Sequence, residues 1–177
     1  MIRIIDLAIE NITPDMFLNF YHHQMIKKKW VYSNNEWALA EASDLREWSK
    51  EKRIWITEYL REQIERGGST VAAYDSDVLI GFCCVDGYLR GKTAKYANLT
   101  MLFVDDKWQR KGVGKRLFEE ICKRAAKMNA DKLFISAIPS IETVAFYFSM
   151  GCEDTKEMIS EYIDTENDRY LEYALTK

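Results

Sequence analysis

The 177-residue sequence holds few of the residues that build metal sites and disulfide frameworks, with four cysteines and two histidines. The cysteines are Cys83, Cys84, Cys122 and Cys152. All of them lie in apolar segments without the spacing of metal ligands, and His22 and His23 are adjacent and far from every cysteine. Neither zinc nor another metal is therefore expected. Such cysteines are typical of reduced core residues in a cytoplasmic protein.

Long hydrophobic runs are also missing. No apolar stretch approaches the roughly 20 residues of a membrane-spanning helix. The apolar start is interrupted at Arg3 and Asp6, too early for a signal peptide. The formal net charge of −3 argues against a broadly basic surface for nucleic acid. We therefore expect neither a membrane nor a nucleic acid as partner, whereas a mildly acidic surface suits a cationic amine.

The composition is that of an ordinary soluble globular protein, with 47% hydrophobic and 30% charged residues. The length is sufficient for one domain with a sizeable core. There is no internal repeat, low-complexity tract or convincing linker. We therefore predict a single domain over residues 1–177.

The most informative stretch is a strand, a basic turn and a helix. Tyr96 to Val104 has the pattern of a strand, and Val113 to Met128 has apolar residues at helical spacing. A helix start carries free N–H groups and partial positive charge, which attract phosphate. Gly112 and Gly114 allow a ligand to approach the backbone closely. Positive charge around the turn comes from Lys107, Arg110, Lys111, Lys115 and Arg116.

Two common phosphate-binding motifs do not fit this turn. The P-loop pattern requires glycine where Gln109 stands and serine or threonine where Arg116 stands. The dinucleotide fingerprint requires a third glycine where Leu117 stands. What remains is Gln-x-x-Gly-x-Gly at the start of a helix.

A second informative stretch follows downstream. Leu133 to Ile138 is a nearly continuous apolar strand, and Ser140 to Met150 is a short helical segment that carries Phe146-Tyr147 and is followed by Gly151. Together with the Gln-x-x-Gly-x-Gly turn, this order and spacing closely resemble the GNAT superfamily, the GCN5-related N-acetyltransferases. The resemblance covers about residues 67–177.

The resemblance implies an α/β (α+β) fold with a mixed, mostly antiparallel central sheet, flanked by helices and splayed between its two central strands. It also implies acetyl-CoA as co-substrate. The turn would bind the pyrophosphate, and the backbone of the strand before it would pair with the pantetheine arm. The implied cofactor-binding residues are Leu102, Phe103, Val104, Gln109, Arg110, Lys111, Gly112, Val113, Gly114, Lys115 and Ser140.

Tyr147 matches the family's tyrosine, which points at the coenzyme sulfur and acts as general acid or donor to the thiolate. The alternative is that it is a core aromatic residue. Two positions depart from the family. Ser140 stands where the family often has asparagine, so a pantetheine contact is altered or made by the hydroxyl. Asn98 and Thr100 stand near the family's glutamate base, which leaves a water relay or a base elsewhere, with Glu36 and Glu41 among the acidic candidates.

The first third of the chain is expected to be mostly helical. Ile2 to Ile9 has a strand pattern, and Thr13-Pro14-Asp15 is typical of a helix start. Residues 31–66 are interpreted as an extended helical region ending at Gly67-Gly68, with Asp44 and Glu47 as a capping pair. The resemblance implies that this region helps to wall the acceptor site. Its tryptophans either pack the helices onto the sheet or line a pocket for an amine.

The remaining strands follow from alternation and turn signals. Thr70 to Tyr74 and Val78 to Val85 are predicted to form a β-hairpin. Glu153 to Glu161 and Asp168 to Thr176 are predicted as a last pair of strands.

The function implied is N-acetylation of a primary amine of a small molecule or a protein, by direct transfer in a ternary complex. The alternative from another class is a non-catalytic acyl-CoA-binding sensor, and a third, weaker interpretation is a nucleotide phosphohydrolase. Family members are often homodimers, but no residue decides the oligomeric state.

Overall fold

The structure is a computed structural model that describes residues 1–176. Its helices are α1 (Lys50–Glu65), α2 (Val113–Lys127) and α3 (Ile141–Ser149). Its strands are β1 (Ile2–Asp6), β2 (His23–Ser33), β3 (Glu36–Glu47), β4 (Ser69–Asp75), β5 (Val78–Val85), β6 (Tyr96–Val104), β7 (Lys132–Ala137), β8 (Glu153–Asp154) and β9 (Arg169–Ala174).

Seven strands form one sheet in the order β1-β4-β5-β6-β7-β9-β8. Every neighbouring pair is antiparallel except β6 and β7, which are parallel. The predicted mixed, mostly antiparallel α/β fold is confirmed. That the chain forms a single domain over residues 1–177 stays a prediction.

The two central strands part halfway along their length. β6 pairs with β7 only from Tyr96↔Lys132 to Leu99↔Ile135. Beyond this point β6 stays paired with β5 as far as Val104, and β7 stays paired with β9 as far as Ala137. Each strand therefore keeps its outer partner and exposes its inner edge, which confirms the predicted splay.

Helix α2 covers one face of the sheet and α1 the other. The buried stripe of α2 is Val113, Leu117, Phe118, Ile121 and Ala125, the helical spacing seen in the sequence. On the opposite face, α1 contributes fully buried Ile56 and Leu60 to a cluster that includes Phe17, Phe20 and Phe82. The two apolar clusters fix both helices against the strands that part.

The expectation that residues 31–66 are helical is wrong for residues 31–47. β2 and β3 form a long antiparallel hairpin outside the main sheet, and only Lys50–Glu65 is helical. Asn34 and Asn35 both have positive φ, 52° and 64°, as a two-residue type I′ turn requires. Asp44 and Glu47 lie in β3, and the N-cap of α1 is Ser49, whose hydroxyl accepts from the Lys52 N–H over 3.1 Å.

Two shorter segments also differ from expectation. The helix start at Thr13-Pro14 leads only to a 3-10 turn, Pro14–Phe17, because the chain then enters β2. In the C-terminal part, the strand predicted over Glu153 to Glu161 is reduced to the two residues of β8, and a 3-10 turn, Ser160–Tyr162, follows it. Both predicted strands of the β4–β5 hairpin are present.

No helix within residues 1–176 is both long enough and apolar enough to cross a membrane.

Candidate active site

A cavity of about 900 Å³ opens where the central strands part. Thr100 to Val104 of β6 line one side, and Ser136 to Ile138, at the end of β7, line the other. Alternate backbone N–H and C=O groups of a strand face opposite edges, so the gap presents unpaired groups from both strands. An extended molecule with amide groups can pair with either edge.

One end of this cavity is the mouth of α2. Gly112 is the N-cap of α2 in the left-handed conformation, with φ 81°, and Arg110 before it has φ 58°. A Cβ at Gly112 would meet nothing within 4 Å, so the space in front of this backbone is open. The first N–H groups of an α-helix have no acceptor within the helix, and they are available here to an anion. Gln109, Arg110, Gly112, Gly114 and Lys115 line this end.

Gly114 is required for close packing. A Cβ on it would approach the Phe146 ring to 3.3 Å and the Val104 side chain to 3.6 Å. The glycine therefore lets the start of α2 lie directly against α3 and the end of β6. This contact brings the predicted phosphate turn next to the helix that carries Tyr147.

The basic residues around the turn do not all face the cavity. Arg110 and Lys115 line it. In contrast, the ammonium group of Lys107 lies 4.6 Å from the Tyr21 ring centre, and that of Lys111 lies 4.9 Å from the Trp108 ring centre. Arg116 donates to the Ile2 carbonyl over 3.3 Å. The charge at the cavity is thus carried by fewer side chains than the sequence suggested.

Tyr147 lies on α3 and lines the cavity, although only 7% of the residue is exposed. Its ring packs edge-on against Phe118 and Phe146. Within residues 1–176 its hydroxyl makes no hydrogen bond to another protein group. Burial, which disfavours the phenolate, raises the pKa of Tyr147 well above its usual value of 10. The side chain is therefore a neutral donor at the edge of the gap.

Three of the predicted cofactor residues do not have side chains on the cavity wall. Ser140 is fully buried and is the N-cap of α3, where its Oγ accepts from the Thr143 N–H over 3.1 Å. Val113 packs in the core beneath Gly81, and Lys111 lies over Trp108. The Ser140 hydroxyl is used within the protein. Ser140 therefore lies behind the cavity wall and stabilises it without facing the cavity.

The acidic candidates proposed from the sequence lie elsewhere. Glu41 pairs with Lys28 over 3.5 Å on the exposed hairpin, and Glu36 lies next to the hairpin turn. Thr100 lines the cavity and donates to the Cys84 carbonyl over 3.3 Å. The acidic side chains that do reach the cavity are Glu142, Asp164 and Asp168.

At the end of the cavity lined by α1, Asp164 and Asp168 lie near Lys52. Desolvation and the charge of Asp168 raise the pKa of Asp164 above its usual value, although the side chain reaches solvent. Trp55 lines this end, and the Lys52 ammonium lies 3.7 Å from its ring centre. The Trp55 ring is thus covered by the protein's own Lys52, and it also stacks on Tyr59 at 5.2 Å.

The tryptophans divide between the two expected roles. Trp55 lines the cavity, whereas Trp48 stacks on Phe20 at 5.2 Å and packs against the core. His22, on the other wall, contacts the rings of Trp48 and Phe103. Burial, followed by the positive charge of Arg46, lowers the pKa of His22 to about 4, so the imidazole is neutral at pH 7.

Sequence reasoning missed His22 and Gln24 as lining residues. Both enter the cavity because β2 folds back over the gap, and this depends on contacts distant in sequence. The one local signal was the Asn34-Asn35 pair, which is typical of a two-residue hairpin turn. No group of three or more potential metal-ligating side chains is arranged to hold a metal ion in the described part of the chain.

Comparisons with known proteins agree with this geometry. A family model described as acetyltransferase (GNAT) domain matches residues 39–162. No curated protein is a significant match in sequence.

Solved structures share the fold at low identity. Nourseothricin acetyltransferase is 14% identical with a TM-score of 0.70, and the match covers 99% of each chain. PaiA N-acetyltransferase from Thermoplasma acidophilum, solved in complex with coenzyme A, is 17% identical with a TM-score of 0.62, covering 98% of this chain and 99% of that one. The ribosomal-protein-S18-alanine N-acetyltransferase from Escherichia coli is 16% identical with a TM-score of 0.61, covering 100% and 96%.

Proposed function

This chain belongs to the acetyltransferase (GNAT) domain family, and we propose that it is an acetyl-CoA-dependent N-acetyltransferase acting on a primary amine of a small molecule or a protein. The observation that carries the proposal is the gap between β6 and β7, which forms one cavity with the N-terminus of α2. A phosphate group and an extended amide-containing arm can be bound there together.

The binding mode follows from the two ends of this cavity. The pyrophosphate of acetyl-CoA would lie at Gly112 and Gly114, where backbone N–H groups and the side chains of Arg110 and Lys115 are available. The pantetheine arm would then run along Leu102 to Val104. The thioester would reach the deeper part of the gap, beside Tyr147.

The proposed reaction is a direct transfer. The neutral amine nitrogen attacks the thioester carbonyl carbon, a C–N bond forms, and the C–S bond breaks. The nitrogen loses a proton, and the sulfur leaves as a thiolate that is finally protonated. Because burial keeps the Tyr147 hydroxyl protonated, its part is to donate a hydrogen bond to the sulfur as negative charge develops there.

Loss of the amine proton is assigned to water. Asn98 and Thr100, at the positions of the expected base, cannot accept a proton near neutral pH. His22 is already neutral, but its low pKa makes it a weak base. A relay of water to solvent suffices for an amine whose pKa is not far above the working pH.

The acceptor is proposed to enter from the Trp55 end. This is supported by Asp164 and Asp168, which line the cavity there and favour a cation. The names of two structural neighbours pair this fold with nourseothricin and with an alanine of ribosomal protein S18. Both small-molecule and protein amines therefore belong among the acceptors tested.

The deciding experiment is a panel of amines incubated with the protein and acetyl-CoA. Release of free coenzyme A thiol is followed together with the mass of each amine. Turnover that adds one acetyl group to an amine supports the proposal. Thiol release that does not depend on any amine would contradict it.

A non-catalytic acyl-CoA-binding sensor is the second candidate, because β6 has no carboxylate at the position where the family's base is expected. It predicts that acetyl-CoA binds with measurable heat while no amine in the panel is acetylated. The two candidates are separated by turnover, since both require binding.

A further inference from the structure

Gln24 lies at the side of the gap formed by β7 and α3. It is on β2, outside the main sheet, and it lines the cavity. Its Nε2 donates to Ser140 Oγ over 3.1 Å and to Thr143 Oγ1 over 3.3 Å. These two hydroxyls belong to the first turn of α3, so Gln24 is held by the helix that carries Tyr147.

The Gln24 amide turns its nitrogen toward the first turn of α3. The Ser140 hydroxyl donates to Thr143 Oγ1 over 2.8 Å and accepts from the Thr143 N–H over 3.1 Å. Its proton is therefore already used, and the group it can still bind is a donor. In this arrangement Nε2 of Gln24 faces both hydroxyls, and Oε1 lies on the other side of the planar amide.

Gln24 Oε1 is left as a free acceptor. Among the described residues no group donates a hydrogen bond to it. It is also not among the buried polar atoms that lack a partner, so it is accessible to solvent, and Gln24 lines the cavity. A held side chain with one unsatisfied acceptor is suited to bind an N–H group of a ligand in the gap.

The geometry points to Gln24 as a binding residue for an amide N–H of the pantetheine arm of the acyl donor. This inference rests on the proposed function, which places that arm between the edges of β6 and β7. The arm contains secondary amides, so it offers N–H donors as well as C=O acceptors. Gln24 would bind it from the β7 side, while Leu102 to Val104 pair with it from the β6 side.

The role also accounts for the position of Ser140. A serine at the start of α3 is too short and too buried to reach the gap itself. It instead positions the longer Gln24 side chain, which reaches the gap from β2. Ser140 and Thr143 are thus positioning residues, and Gln24 makes the contact.

The test compares two ligands on one variant, Gln24→Leu. Coenzyme A carries the pantetheine arm, whereas adenosine 3′,5′-bisphosphate carries part of the nucleotide without it. We expect the affinity for coenzyme A to fall about fivefold, as for loss of one hydrogen bond, and the affinity for the bisphosphate to remain within twofold. Both affinities are measured by calorimetry.

Gln24→Glu is the matched variant, because it keeps an oxygen acceptor while losing the amide donors. The Thr143 hydroxyl proton is free to donate to the new carboxylate. Affinity for coenzyme A within twofold of wild type supports the inference. The inference is overturned if Gln24→Leu loses as much affinity for the bisphosphate as for coenzyme A, or loses no affinity for coenzyme A. It is also overturned if Gln24→Glu loses as much affinity for coenzyme A as Gln24→Leu does.

Failure of the proposed function would be seen before these comparisons. If wild-type protein does not bind coenzyme A, the acyltransferase proposal fails without any variant. If the wild type binds and the two variants behave alike, only the role of Gln24 is lost. The thermal midpoint of each variant is measured first, so that the affinities compare folded proteins.

Discussion

The backbone N–H of Trp30 donates to the carbonyl oxygen of Pro139 over 2.7 Å. This hydrogen bond joins the β2–β3 hairpin to the loop between β7 and α3, although the two residues are far apart in sequence. A bridge between Lys29 and Ser140 extends the contact. A two-stranded hairpin is marginally stable alone, so its place over the cavity depends on such contacts.

Arg169 is the second point at which the hairpin is held. It is 6% exposed, and its guanidinium donates to both carboxylate oxygens of Asp154 over 2.7 Å. The guanidinium carbon lies 5.1 Å and 4.5 Å from the rings of Trp30 and Trp37, which belong to the two hairpin strands. The side chain therefore connects β9 with the hairpin.

Arg169→Leu is expected to lower the free energy of unfolding by about 2 kcal/mol, because it removes a buried ion pair and the contacts with the rings. The loss stays below that of a fully buried pair, since Asp154 is 49% exposed and can be hydrated. Urea unfolding measures the change. The control is Arg66→Ala, which removes an exposed pair with Glu62 and should cost less than about 0.5 kcal/mol. Equal effects for the two variants would contradict the role of Arg169.

Gly112→Leu is expected to weaken binding of coenzyme A by about tenfold, roughly 1.4 kcal/mol. The new side chain enters the open space where the phosphate is proposed to lie, and it also strains a backbone with φ 81°. Calorimetry with coenzyme A measures the change.

Gly67→Leu is the matched control for Gly112→Leu. Gly67 has a φ of 85° and equally open surroundings, but it follows α1 and does not line the cavity. Both variants should lose similar stability, and only Gly112→Leu should lose affinity. An unchanged affinity in Gly112→Leu would count against binding of the pyrophosphate at this turn.

Tyr147→Phe is expected to lower kcat by about 100-fold and to change the affinity for acetyl-CoA little, because the hydroxyl acts on sulfur only as charge develops. Steady-state kinetics with an accepted amine measures both. Tyr173→Phe is the control, since Tyr173 packs against the same Phe118 ring but does not line the cavity. Wild-type kcat in Tyr147→Phe would remove the proposed role.

His22 is expected to make stability depend on pH. Because its pKa is lowered to about 4 in the folded protein, from 6.5, the folded state prefers the neutral imidazole. Its contribution is fully present above pH 6.5 and is lost as the pH falls through about 4. In urea unfolding at several pH values, the stability of wild type relative to His22→Phe should therefore decrease over this window.

The exposed neighbour His23 provides the comparison. His23→Gln keeps the buried His22 imidazole, so it should still lose stability as the pH falls through about 4. If the wild type and His22→Phe lose stability in parallel as the pH falls, the buried imidazole is not responsible for the loss.

The sequence predicted the part of the site that local rules control. The strand Tyr96–Val104, the glycine turn and the amphipathic α2 follow one another directly, and each has its own pattern of apolar and special residues. Tyr147 was located through the resemblance to the family, by its place on a short helix. The parting of the central strands came from the resemblance to a family, because no local pattern in Tyr96–Val104 marks where pairing stops.

Local sequence rules did not predict the β2–β3 hairpin. Residues 31–47 contain good helix formers such as Glu, Ala and Leu, but they pair as strands, since β structure is stabilised by cross-strand neighbours and tertiary contacts more than by intrinsic preference. The only local evidence against a helix was Asn34-Asn35.

The sequence by itself determined where free backbone donors are exposed, because a glycine turn before an amphipathic helix creates them through local geometry alone. Only the tertiary structure decided what surrounds the rest of the gap. It buried Ser140, placed Gln24 and His22 on the wall, and left Trp55 at the far end. These positions depend on hydrogen bonds and ring contacts between residues far apart in the chain, and such contacts exist only once the chain has folded.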